Sequence, residues 1–226
     1  MNQNMKNDIF IYIRLYAYTK TSKRMDVFLQ ALGSVIFNAY LCSQQIVKMM
    51  KEKDVSPLYQ RDVLEFVTVA VQFCAYLEEA EQKQPQDFIE TMLRLLPLLY
   101  LKGTLLPDFE MDEETELQDF VTEDNYNIVR GNVALLMGEN DDFLDVFMED
   151  MKYSESPILS TVSENLADIY QELKNFAMAY KNANDEQQMM NALAEVKESF
   201  QFSWGQKLVN VQRALHEVRY SEEDDF

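Results

Sequence analysis

The chain carries a single histidine, His216, near the end of the run Trp204-Gly205-Gln206-Lys207-Leu208-Val209-Asn210-Val211-Gln212-Arg213-Ala214-Leu215-His216. On a helix, Asn210 and Arg213 are three residues apart, as are Arg213 and His216, so all three project from neighbouring turns on one side. Val209 and Tyr220 flank that side. The segment just before contributes Asp168 and Tyr170. If the two helices pack antiparallel, Asp168 pairs with Arg213. A buried Arg–carboxylate pair mainly fixes packing geometry. The chemical alternative is a polar pocket with His216 as its titrating group and Trp204 as an apolar wall. The candidate binding residues are therefore Asp168, Tyr170, Trp204, Asn210, Arg213 and His216, and no catalytic residue is assigned.

One imidazole leaves little room for metal chemistry. Helical di-metal sites use paired Glu-x-x-His motifs, and the residue three before His216 is Arg213. Zinc needs clustered Cys and His ligands, whereas Cys42 and Cys74 stand alone. No phosphate-binding glycine loop or Gly-x-Ser-x-Gly elbow occurs. No metal and no cofactor is expected. Two cysteines in separate segments suit a reducing compartment, hence the cytoplasm. Cys74, inside an apolar helical pattern, reads as a small core residue.

Charge narrows the partners. The chain has 226 residues, 20 Lys+Arg against 39 Asp+Glu and a net charge of −19. Such a balance disfavours nucleic-acid binding, which relies on a basic surface. Between Gly103 and Met151 the only basic residue is Arg130, set against Asp108, Asp112, Glu113, Glu114, Glu116, Asp119, Glu123, Asp124, Asp141 and Asp142, among others. That tract can attract a basic protein partner or divalent cations, although it lacks the glycine of a calcium loop. The alternative is a solvated face that maintains solubility.

The elements that must position these groups follow from hydrophobic spacing. Asp62–Gln82 reads as a helix with Val63, Phe66, Val67, Ala70, Phe73, Cys74 and Leu77 on one side and Leu64, Val71 and Ala75 on another. A helix apolar on so much of its surface should be central. Pro85 starts a second helix, with Pro97 expected to kink or end it and Gly103 to stop it. Thr122 caps a third, ending at Gly138. A short helix is expected around Phe143, Leu144, Val146 and Phe147. Pro157 suits a first helical turn, and Thr161 with Glu164 forms a capping-box pair ahead of Leu166–Lys181. Asn184 or Asp185 opens the last helix, which runs to about Arg219, roughly 50 Å at about 1.5 Å per residue. Gly205 bends it or permits close packing. No strand pair and no fixed-period repeat is evident. The expectation is an all-α bundle of five to seven helices with short loops.

Composition breaks near residue 50. Residues 1–50 are net basic, with six basic and two acidic groups, whereas 51–226 form the acidic helical part. Residues 27–47 carry no charge, a length that can span a bilayer, but Gln30, Ser34, Asn38, Ser43, Gln44 and Gln45 make lipid costly. Three readings of the first 50 residues stand: an extra amphipathic helix, a membrane or targeting segment, or a misassigned start preceding Met49 or Met50.

The run Ser163-Glu164-Asn165-Leu166-Ala167-Asp168-Ile169-Tyr170 with Leu173, and the run Trp204-Gly205, Leu208-Val209-Asn210, Arg213-Ala214-Leu215-His216, resemble signatures of an uncharacterised bacterial domain-of-unknown-function family numbered 5063. The resemblance covers roughly residues 54–220. It implies an all-helical soluble domain, brings no activity with it, and directs attention to the six candidate residues above. Three functions remain open. The first is an interaction or accessory protein that offers its acidic face to a basic partner. The second is a small-molecule binder or unusual hydrolase built on Asp168, Arg213 and His216. The third is an adaptor tethered to a membrane through residues 27–47.

Overall fold

Val63, Phe66, Val67, Ala70, Phe73, Cys74 and Leu77 recur every three or four positions, and all seven are buried on one face of helix α1, Arg61–Glu78. The structure is a computed structural model that describes residues 56–111, 119–145 and 158–221. Residues 27–47, the acidic residues Asp112, Glu113, Glu114 and Glu116, and Val146, Phe147 and Pro157 lie outside the described residues. The chain divides into two compact units, Met1–Arg61 and Asp62–Phe226. In the first, the described part is a short 3-10 turn, Pro57–Tyr59.

Helix α2 spans Pro85–Thr104 and runs straight through Pro97 instead of ending there. Gly103 is not its stop. It is buried in the last turn, where an added Cβ would lie 3.1 Å from the Phe200 ring and from Trp204. Glycine suits the close approach of these rings there rather than a left-handed cap. Helix α3, Glu123–Met137, starts as its sequence dictates, with Thr122 Oγ1 accepting the Asn125 N–H at 3.2 Å. It ends at Gly138, whose φ of +56° is the left-handed conformation that glycine tolerates.

Phe143 and Leu144, expected within a short helix, are instead extended. Strand β1, Asp142–Leu144, pairs antiparallel with β2, Leu159–Thr161, in the register Asp142↔Thr161 and Leu144↔Leu159. The cause is local. Asp141 spends both carboxylate oxygens on the start of the next helix, accepting Ser163 N–H at 2.8 Å and Ser163 Oγ–H at 2.6 Å. That holds the chain alongside β2, and the Val162 N–H donates to the Asp141 carbonyl at 2.8 Å. The hairpin-like pair was not legible because its two halves are far apart in sequence.

Helix α4, Val162–Asn182, follows β2 directly, with Thr161 Oγ1 accepting the Glu164 N–H at 3.1 Å. Helix α5, Glu186–Ser199, is capped by Asp185, which accepts the Gln188 N–H at 2.8 Å. A π-helical turn, Phe200–Trp204, joins it to α6, Gly205–Tyr220. Among the described residues the bundle therefore has five helices if α5–α6 is taken as one rod, or six if the π turn divides it, and the all-α fold is as expected. Helix α4 packs on α3, α5 and α6, while α2 packs on α6. Helix α1 is buried along one face, as its pattern predicts, and α4 lies among several helices. Its polar Ser163 and Asn165 are buried too, which is why its hydropathy understates its position.

The core centres on Trp204, which has no exposed surface. Its ring stacks on Phe66 at 6.3 Å and meets Phe200 at 4.7 Å, and Phe66 also touches Phe176 at 5.4 Å. Full burial of each such side chain contributes about 1.5–3 kcal/mol. The π turn fits the tryptophan into this cluster, and the indole N–H donates to the Val196 carbonyl at 3.0 Å.

Candidate functional site

The six residues singled out by spacing do not converge on one pocket. Trp204 is core. Asp168 does not pair with Arg213: its Oδ2 accepts from Lys207 Nζ at 2.5 Å and its Oδ1 accepts the Tyr126 hydroxyl at 2.6 Å. Arg213 Nη2 donates instead to the Leu144 carbonyl at 2.6 Å, securing the end of β1. Asn210 is buried, and its Nδ2 donates to Oδ1 of the equally buried Asp145 at 2.6 Å. His216 is exposed and lies against Tyr220, the ring centroids 4.7 Å apart. The antiparallel argument failed because the register of α6 against α4 brings Lys207 to Asp168.

What the two helices build instead is a polar clamp on the strand pair. Asn165 Nδ2 donates to Ser160 Oγ at 2.7 Å and to the Thr161 carbonyl at 2.8 Å. Asn210 holds Asp145 and Arg213 holds Leu144, so α4 grips β2 while α6 grips β1. Asp145 and Ile158, where the chain leaves β1 and returns to β2, are joined through the Asp145 N–H, which donates to the Ile158 carbonyl at 2.9 Å. Asn165 and Asp145, which complete this clamp, are not among the six residues that spacing singles out.

The described residues of the acidic tract have separate surroundings. Asp108 pairs with Lys197. Asp119 accepts from Asn175 Nδ2 at 2.9 Å. Glu123 and Asp124 occupy the first turn of α3, where the helix dipole favours negative charge. Asp141 caps α4, and Asp142 is exposed on β1.

Two clefts remain. The first lies between α4 and α5 and has a volume of about 140 Å³, with Asp119, Glu172 and Glu195 at its rim and Phe176, Ala179 and Val196 as its apolar wall. Among the described residues no lysine or arginine pairs with any of the three carboxylates. Burial, then the charges of Glu172, Asp119 and Glu198, push the Glu195 carboxyl above the ordinary carboxylate range. The signal that points to this cleft was present in α4: Asp168, Gln171, Glu172 and Asn175 form a polar stripe at helical spacing.

The second cleft, of about 220 Å³, lies where the end of α1, the start of α3 and the middle of α4 meet. Here Glu78 Oε1 accepts the Tyr170 hydroxyl at 2.9 Å and Lys174 Nζ at 2.5 Å. Burial, then the Glu78 charge, raise the Tyr170 phenol, so it stays protonated and donates. Burial also pushes up the Cys74 thiol nearby, and Cys74 sits in the core as its pattern predicts rather than acting as a nucleophile.

Among the described residues no group of three or more His, Cys, Asp or Glu is arranged to hold a metal ion, and no helix is long and apolar enough to cross a membrane. Residues 57–221 match the model of a family described as a domain of unknown function, DUF5063. The chain is also similar to protein BF1032 from Bacteroides fragilis, known from a crystal structure. The two are 40% identical with a TM-score of 0.67, over 76% of this chain and 100% of that one. No curated protein matches the chain.

Proposed function

The chain belongs to the DUF5063 family, and from that premise we propose that it is a non-enzymatic interaction protein that receives a basic segment of a protein partner. The observation that carries this is the cleft between α4 and α5. Asp119, Glu172 and Glu195 surround an apolar wall without a cationic partner among the described residues, and Glu195 already resists ionisation. A lysine or arginine side chain laid there sets its aliphatic stem against Phe176 and Val196 and its charge among the carboxylates. A partner's cation offsets the burial and the neighbouring negative charges that together raise Glu195. The net charge of −19 adds long-range steering of basic partners.

Its compartment in this reading is the bacterial cytoplasm. The free, buried Cys74 suits a reducing environment, and the solved relative is a bacterial protein.

The test is affinity capture from native cells at low and at high salt, with the parent and with a Glu172→Gln/Glu195→Gln double variant. Partners should be lost as ionic strength rises and should be depleted by the double variant even at low salt. Partners indifferent to both changes, or none, reject the reading.

A further inference from the structure

The cleft between α1, α3 and α4 is separate from the acidic one and has a different chemistry. Its floor is Tyr170, only 3% exposed. Tyr170 and Lys174 both donate to the same oxygen of Glu78, Oε1. Glu78 Oε2 is thereby left as an acceptor, and Lys174 keeps two of its three N–H donors. Asn125 stands beside them. Its backbone N–H is taken by Thr122, while its side-chain amide makes no hydrogen bond to another described residue. The remaining wall is aliphatic, formed by Val129 and by Ile128, which is 59% exposed for a large apolar residue.

A ligand for such a cleft must answer three features at once: an ammonium with an amide beside it, a carboxylate oxygen, and a branched-aliphatic wall. A simple anion is opposed by the field of a chain with net charge −19. A simple cation finds the Glu78 charge already compensated by Lys174. A ligand carrying both charges meets neither objection. The volume of about 220 Å³ falls below the roughly 300–1,000 Å³ of sites that enclose drug-sized molecules, so the ligand is a single small metabolite rather than a peptide. We propose that this cleft binds a free α-amino acid with a branched aliphatic side chain. Its carboxylate is held by Lys174 and Asn125, its ammonium by Glu78 Oε2, and its side chain by Ile128 and Val129.

The probe is L-valine, titrated into the full chain by calorimetry. Saturable binding with a Kd of about 1 mM is expected for so small a ligand. N-acetyl-L-valine, which lacks the ammonium, and L-valinamide, which lacks the carboxylate, should each bind about ten-fold more weakly. Lys174→Met should abolish binding. Ile128→Asp should do so as well, and because Ile128 is largely exposed that variant should melt with the parent. No saturable binding of L-valine up to about 50 mM, binding of either blocked form as tight as that of L-valine, or unchanged binding by the folded Ile128→Asp variant each overturns the proposal.

Discussion

The side-chain amide of Asn210, on α6, donates to the carboxylate of Asp145 at the end of β1 across 2.6 Å, with both residues buried. A hydrogen bond to a buried carboxylate is among the stronger kinds. Asn210→Ala should therefore destabilise the protein by about 2–3 kcal/mol. Adding Asp145→Asn should recover part of that loss, since burying a neutral amide costs less than burying a carboxylate. Denaturant titrations of the single and double variants give the coupling directly. A near-neutral Asn210→Ala would show that the clamp on the strands contributes nothing.

Asp168 and Arg213 should behave independently. Asp168 answers both Lys207 and Tyr126 from a half-buried position, so Asp168→Ala should cost about 1–3 kcal/mol. Arg213 makes one bond from an exposed site, to the Leu144 carbonyl, and Arg213→Ala should cost under about 1 kcal/mol. The two losses should add within about 0.5 kcal/mol. A strong coupling would mean that the residues share a partner.

Two helical glycines should respond in opposite directions to alanine. A Cβ on Gly205 would lie 2.4 Å from the Phe200 carbonyl oxygen, inside the π turn, where backbone must give way. Gly205→Ala should destabilise by about 1–3 kcal/mol despite the better helix propensity. A Cβ on Gly131 meets nothing within 4 Å, so Gly131→Ala in α3 should stabilise by about 0.5–1 kcal/mol. Melting temperatures of the pair decide it, and a stabilising Gly205→Ala would place the π turn in doubt.

Glu195 should make stability depend on pH. Burial and the neighbouring Glu172, Asp119 and Glu198 raise its carboxyl above the unfolded value. The folded state thus holds the proton more tightly than the unfolded chain. The contribution favours folding below the unfolded carboxylate value and is lost as pH rises through the raised one. Glu195→Gln should therefore melt above the parent at neutral pH, with the advantage shrinking as pH falls toward about 4. A variant that melts lower at neutral pH would show that Glu195 is stabilised by a partner rather than crowded by like charges.

Most of the helical framework was legible from spacing alone. The seven buried residues of α1 are the seven its period picks out, and Thr122, Thr161 and Asp185 cap the helices they precede. These features depend on residues within about four positions of one another, so one stretch of chain contains everything that decides them. Gly103 and the β1–β2 pair were misread because their outcome rests on groups far along the chain: the rings of Phe200 and Trp204 for Gly103, and Ser163 with β2 for Asp141. The same holds for the candidate sites. Asp168, Lys207 and Arg213 each announce a charged group on a helix face. Which cation reaches Asp168 depends on how α6 slides and rotates against α4, and Lys207 and Arg213 are about 9 Å apart along the axis at about 1.5 Å per residue. That register is set by the burial of Trp204 and its aromatic neighbours, a long-range packing choice that no local pattern contains.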